Sequence, residues 1–459
     1  MRNGFGSIGS IFTQPSLVSL GIVGFSILLA SCQSAAIAPS DTSPETNSST
    51  AQSTVSSTPD NSQISTNTLT PEPINIAIED LPEPFATESA SKSPNVVDRP
   101  ANASLNVPEG FTVNIFAEDL QKPRWLALTP EGEVLVTETR ENRIQKLTDA
   151  DGDGIAESKE TFATARNGLD IPFGMAFAGG SFFLGNTDEV LRFPFEAGQT
   201  ALEGKGDRIA TLPGGGYNQH WTRNVIASPD GNQLYVSIGS KSNVSEEPLP
   251  RASVQQMNLD GTEQTTFASG LRNPVGLDFH PQTGDLYTTV NERDGIGDDL
   301  VPDYFTRLQP GDFFGWPYAY LSPENLDPRQ TADEGASNSP ELASQTKTPD
   351  VLFQAHSAAL GLQFYDGSTF PQRYQNGAFA AFRGSWNRSA GTGYKIVFIP
   401  FDDEGRPTGS YEDFLTGFLL DPSGPTTWGR PVGLLVMPDG SLLVTEEANG
   451  TIYRIQYEG

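Results

Sequence analysis

The sequence predicts an all-β chain: a six-bladed β-propeller of four-stranded blades behind a disordered N-terminal tether. Three observations carry this prediction. Beyond Phe111, apolar residues alternate over short stretches broken by Gly, Pro, Asp and Asn turns, with almost no 3.6-residue periodicity. One unit (an apolar strand, a Pro-Asp/Glu-Gly type turn, a second strand) recurs six times, and its first four copies start about 50 residues apart. Such units bury their faces only against one another. Finally, "GFTVNIFAEDL" (Gly110 to Leu120) stands ahead of the first copy, in position to supply the outer strand that closes the last blade.

In chain order, residues 1–31 read as a lipoprotein signal peptide: Arg2, an apolar stretch from Leu17 to Ala30, then "LASC", which resembles the bacterial lipobox. The apolar run is shorter than the ~20 residues a spanning helix needs. Cys32, the only cysteine, is the expected lipidation site. The protein is then exported and held on a bacterial membrane, on the periplasmic or cell-surface side, through its lipid alone. With that thiol used, disulfides, Cys-ligated zinc and a C-x-x-C-H haem site are excluded. Residues 32–104 are rich in Ser, Thr and Pro and are expected to be a disordered linker. The propeller is expected over 105–459. A formal charge of -29 argues against nucleic acid as a partner.

The units read "PRWLALTPEGEVLVTET" from Pro123, "PFGMAFAGGSFFLGNTD" from Pro172, "TRNVIASPDGNQLYVSIG" from Thr222 and "NPVGLDFHPQTGDLYTTVNE" from Asn273. A weaker copy, "ALGLQFYDGSTF", starts at Ala359, and the last is "RPVGLLVMPDGSLLVTEE" from Arg430. The stretch from Leu321 to Pro349 is a loop-like insertion that caps the site or faces a partner.

In a propeller, the residues ahead of each innermost strand crowd one mouth of the axial channel. Here they include Arg124, Arg223, Arg272 and Arg430, with Arg388 and Lys395 expected on the same face from the fifth unit. Converging guanidinium groups in a net-negative chain suit a small, multiply anionic ligand. The alternative is that each pairs with a carboxylate of a neighbouring blade. Of three histidines, His220 and His356 precede innermost strands; each is either a general base or a structural hydrogen-bonding group. His280, in a turn, is expected to be exposed and without function.

Two acidic clusters remain. "DADGDGIAESKE" has the spacing of a calcium loop, with Asp149, Asp151, Asp153, the Ile155 carbonyl and Glu160 as ligands, but strand-like flanks. "NERDGIGDDLVPDYF" offers Asp294, Asp298, Asp299 and Asp303 beside glycine carbonyls, a setting for a second hard cation.

Taken together, "NQHWTRN", "GLRNPVGLDFHP", "NERDGIGDDL", "FFGWPY", "HSAALGLQFY", "GSWNR" with "GYK", and "GRPVGLLVMPDGSLLV" resemble the soluble PQQ-dependent sugar dehydrogenases, in the branch of L-sorbosone dehydrogenase and the quinoprotein pyranose dehydrogenases. The resemblance runs from about residue 105 to the C-terminus. It implies pyrroloquinoline quinone (PQQ) over the axis with Ca2+ on the quinone. His220 matches the catalytic base, and Arg272 and Asn273 the pair beside the quinone. Carbonyls near Asp294 and Gly295 match the cofactor-calcium ligands, Asp298 and Asp299 a neighbouring calcium site, and Lys395 and Arg430 groups that bind cofactor carboxylates. The family's glucose dehydrogenase has Asp where this chain has Gln219, and a second arginine where it has Val432.

The expected activity is oxidation of an aldose or related sugar, with electrons passed to a separate acceptor, a cytochrome or membrane quinone. Two other readings stand beside it: a cofactor-free binding propeller, and a metal-dependent lactonase-type hydrolase.

Overall fold

The computed structural model describes residues 63–214, 220–333 and 335–459; the signal peptide, Cys32 and the linker up to residue 62 lie outside them. The six sequence units form six sheets of four or more strands, built on antiparallel hairpins. Their first strands are Leu126–Leu128, Met175–Ala178, Val225–Ala227, Pro274–Phe279, Ala359–Phe364 and Pro431–Val436. Each lies at one edge of its sheet. These edge strands touch one another in a closed cycle, first to second and so on, with the sixth returning to the first. The arrangement is consistent with a β-propeller.

Closure uses both ends of the ordered chain. Phe111–Ala117 pairs antiparallel with Thr451–Tyr457, in the place expected for it. The expected linker departs from expectation from residue 63 onward. Gln63–Leu69 lies between Phe111–Ala117 and Ser104–Pro108, parallel to the latter, with Ile64, Leu105 and Val107 buried. Asn95–Val96 pairs with Thr426–Thr427. A segment poor in apolar residues cannot form its own core, but backbone hydrogen bonds to an existing sheet edge order it without one.

In and around the insertion, Ala319–Tyr320 and Ser322–Leu326 form a small hairpin, Pro340–Ala343 is one helical turn, and Val351–Leu352 just beyond it completes the fourth sheet. The fully buried Arg293 holds the hairpin through the Pro317 and Ala319 carbonyls and the Asp327 carboxylate. His280, expected to be exposed, is buried: its Nδ1 accepts from the Gln282 and Thr283 N–H groups and its ring packs on Phe364 and Phe401. The turn folds back under a neighbouring aromatic cluster.

The recurrent apolar-Gly pair has a packing reason. Trp125, Phe173, Trp221, Val275, Leu360 and Val432, one from each sheet or just ahead of it, form a single cluster. After Val275, a Cβ on Gly276 would collide with the Leu360 carbonyl; after Val432, one on Gly433 would collide with that of Arg124. The apolar side chain fills the axis while the glycine lets the next inner strand approach backbone to backbone. Gly433→Ala is expected to lower stability by about 2–3 kcal/mol through overpacking, read from the urea midpoint at unchanged slope; an unchanged midpoint would contradict this packing.

Candidate active site

Antiparallel pairing sets the start of each first strand beside the end of its second strand. Pro274 faces Val290, Ala359 faces Phe382, and Pro431 faces Glu446. Two sets of loop residues therefore meet at the same end of the ring. They enclose a cavity of about 960 Å3. The residues ahead of first strands contribute Arg124, His220, Arg272, Asn273, His356 and Arg430; those after second strands contribute Arg140, Asn243, Asp294, Arg383 and Glu447. Val275 and Leu360 of the axial cluster also line it.

His220 sits at a left-handed φ of 51°, a conformation that side-chain-bearing residues adopt at some cost. Its Nδ1 lies 3.0 Å from both the Ser240 carbonyl and the Ser240 hydroxyl oxygen. That hydroxyl donates its own hydrogen to the Ser242 carbonyl. Both neighbours are thus acceptors, which assigns the imidazole hydrogen to Nδ1 and leaves Nε2 with a lone pair. Burial, with the Arg272 charge adding to it, holds the His220 pKa well below its usual value. This histidine is neutral near pH 7 and able to accept a proton.

Asp294 is the hub of the opposite wall. Its carboxylate accepts from Arg272 Nη2 at 2.8 Å and Asn387 Nδ2 at 2.5 Å and lies 3.6 Å from His356 Nδ1. Burial opposes its charge, yet Arg272 and His356 bring its pKa down to about 2. His356 shows the opposite trend from His220: burial works against its charge, but Asp294 raises its pKa. Its Nε2 faces the Gly297 carbonyl at 3.3 Å. It is therefore held as a positioned, chargeable group rather than a free base.

Glu447 anchors the third cluster, bridging Arg124 and Arg383. Arg430 donates to the Arg383 and Gly384 carbonyls. Among the described residues, Lys122, Arg140 and Arg430 line the cavity without a carboxylate within ion-pair distance. Thr222 Oγ1, Asn273 Oδ1 and Arg124 Nε, on lining residues, are buried without a hydrogen-bond partner. Unpaired cations beside orphaned polar atoms fit an anionic, hydrogen-bonding ligand.

Several expected site residues lie elsewhere. Arg223 is buried and donates to the Pro213, His220 and Thr222 carbonyls, holding the His220 turn rather than facing the cavity. Arg388 pairs with Asp299 and donates to the Asp298 carbonyl. Lys395 begins the third strand of its sheet and pairs with Asp413. The expected cofactor-calcium and neighbouring-calcium donors are also engaged. The Asp294 carbonyl accepts from Asn243 Nδ2 at 2.8 Å and Arg329 Nη1 at 2.6 Å, and the Asp298 carboxylate accepts from Ser389. Gly295 faces Arg329 as well, since a Cβ there would lie 3.3 Å from Nη1. A calcium ion does not fit this donor set. Asp303 accepts from the Glu292 and Ala358 N–H groups and braces the wall.

In the other acidic loop, Asp149, Asp151 and Asp153 converge with Glu157, not Glu160. Glu160 lies on the strand Ser158–Thr164 and reaches toward Lys146. A strand starting at Ser158 cannot turn its third residue back into the loop as a helix would.

Arg140, Arg383 and Glu447 were not anticipated, yet a signal existed: each lies one or two residues past the end of a second strand, beside the start of its hairpin partner.

Because Glu447 is depressed to about 2 from 4.5, chiefly by Arg124 once burial is overcome, its contribution to stability is present above pH 4.5 and is lost as pH falls toward 2. Glu447→Gln is expected to cost about 3 kcal/mol at pH 7 by leaving the buried Arg124 and the half-buried Arg383 without their carboxylate. Urea denaturation should show the gap closing between pH 4.5 and 2; a gap independent of pH would contradict the assignment.

A family profile described as TrAA12-like matches residues 105–314 and 325–458. An uncharacterized protein of Borreliella burgdorferi is 30% identical over 372 residues, covering 78% of this chain and 92% of that protein. The PQQ-dependent pyranose dehydrogenase of Coprinopsis cinerea is 24% identical over 423 residues, covering 77% of this chain and 54% of the enzyme, so the chain spans about half its length. Among solved structures, an AA12 carbohydrate-active enzyme of Trichoderma reesei superposes with a TM-score of 0.66 at 20% identity, covering 79% of this chain and 99% of that one. The PQQ domain of the Coprinopsis cinerea pyranose dehydrogenase gives 0.63 at 21% identity, covering 79% and 99%. The chain belongs to the TrAA12-like family.

Proposed function

We propose that this protein oxidises an aldose or related sugar at its hemiacetal or aldehyde carbon, giving lactone or acid, with PQQ as cofactor. Electrons then pass to a separate cytochrome or quinone. In this reading the six sheets are the blades of a six-bladed propeller, and the chain falls in the pyranose and L-sorbosone dehydrogenase branch. One observation carries the proposal: a neutral, half-buried His220 faces the same cavity as Arg272 and three cations that lack carboxylate partners among the described residues.

PQQ has three carboxylates, and Lys122, Arg140 and Arg430 supply charge for them, with Asn273 Oδ1 and Thr222 Oγ1 as free acceptors nearby. When bound, PQQ would supply a two-electron, hydride-accepting quinone at this site. His220 Nε2 takes the proton of the anomeric hydroxyl, its ring held by Ser240 through Nδ1. Arg272, fixed by Asp294 and Asn243, places positive charge where negative charge develops. The axial cluster closes the ring below and strengthens these interactions by excluding water. The hydrolase reading has less support because, of the four cavity carboxylates, Glu292, Asp294 and Glu447 are committed to arginine and Asp303 to backbone N–H groups.

Two further proposals attach to this reading. Cys32 carries the lipid that holds the protein on the outer side of a bacterial membrane. Asp149, Asp151, Asp153 and Glu157 bind a structural Ca2+, consistent with their carboxylate oxygens lying within 4.8 Å of one another.

His220→Ala should lower dye reduction by about 100-fold or more while PQQ remains bound by absorbance. The acid limb of kcat/KM in the unaltered protein should lie below the ordinary histidine value of about 6.5. Retained turnover would move the base to His356. Millimolar Ca2+ should raise Tm, and the rise should vanish in Asp151→Ala/Asp153→Ala; an equal rise in that variant would remove the loop site.

A further inference from the structure

Four of the five tryptophans are engaged. Trp125 packs on Phe173 at 4.6 Å, and Trp221 carries Arg124 and Arg140 over its ring at 5.0 and 5.1 Å. Trp316 donates its indole N–H to the Asn243 carbonyl and Trp428 to that of Gly417, both at 2.9 Å. Trp386 differs. It lines the cavity, yet it is 47% exposed; among the described residues it stacks on no ring and its indole N–H has no acceptor.

Its setting is nonetheless fixed. The Trp386 carbonyl accepts from the Lys92 N–H at 2.7 Å, and its neighbour Asn387 is bound to Asp294 and His356. The ordered N-terminal segment adds a second exposed apolar group to the same cavity, Val96, at 44% exposure. Arg124 and Arg272 are buried in the cavity, whereas Trp386 and Val96 present apolar surface to solvent at its opening. At about 960 Å3 the cavity also reaches the upper part of the range for small-molecule sites, ~300–1,000 Å3.

We propose that Trp386, with Val96 beside it, is an outer subsite for the pyranose ring of a second sugar unit. The inference rests on the proposed sugar oxidation. The oxidised carbon of an oligosaccharide belongs to its reducing-end ring, so with that ring at His220 the next ring extends toward the open end. There its C–H face covers the indole and a hydroxyl accepts the indole N–H. The preferred substrate is then the reducing end of a short oligosaccharide rather than a free hexose.

The test uses the full chain with 15N-labelled tryptophan, saturated with PQQ, loading being followed separately by absorbance. Cellobiose should shift one indole resonance, the one missing from Trp386→Phe, at about tenfold lower concentration than glucose. Trp386→Ala should raise the KM for cellobiose relative to glucose by about tenfold, with Trp386→Phe restoring most of the preference. A Trp386 resonance that cellobiose leaves in place overturns the subsite, as does an equal rise in both KM values or a shift caused only by an added cytochrome. If PQQ does not load, or neither sugar is turned over, the functional reading fails, and the subsite is decided by the indole shift alone.

Discussion

The inner strands sit backbone against backbone around the axis, and the chemistry above them depends on that approach. Where Gly276 and Gly433 face the carbonyls of Leu360 and Arg124, no side chain fits between neighbouring sheets. The apolar residues before those glycines can then meet at the centre with Trp125, Phe173 and Trp221. The ring is tight enough to plug its own channel. The loops above are held at a fixed distance from one another, which no single sheet could arrange.

On that platform, charge is distributed unevenly and with purpose. A chain of formal charge -29 collects arginines from several sheets at one end of its axis and commits only some of them to carboxylates. Asp294 and Glu447 each hold guanidinium groups and stay ionised far below their ordinary range. The two cavity histidines are driven apart: burial, with Arg272 adding to it, lowers the pKa of His220, while Asp294 raises that of His356 against the effect of burial. Opposite shifts within one cavity mark His220, and not His356, as the candidate base.

Much of this was legible in the chain, for specific reasons. The "PVGL" copies mark inner strands because an axial side chain and a close-approach glycine must be consecutive. Arg124, Arg272 and Arg430 were visible as residues ahead of those strands. The fifth sheet was harder: "FRGSWNR" offers two arginines, and it is Arg383, directly after the strand Ala378–Phe382, that reaches the cavity, while Arg388 turns to Asp299. Composition misjudged residues 63–104, because edge pairing needs backbone groups rather than apolar side chains. Calcium beside the cofactor was implied by the family resemblance, which cannot reveal that Arg329, from the insertion, occupies the Asp294 carbonyl.

The central claim is that unpaired cations at one end of the ring grip a small carboxylated redox molecule. Isothermal titration of PQQ into the protein and into Arg140→Ala/Arg430→Ala tests it most directly. The account predicts one micromolar or tighter site per chain, weakened by about 100-fold or more in the double variant, as expected for two lost charge-assisted contacts of about 1.5–3 kcal/mol each. Absence of binding, or equal affinity in the two proteins, would contradict it.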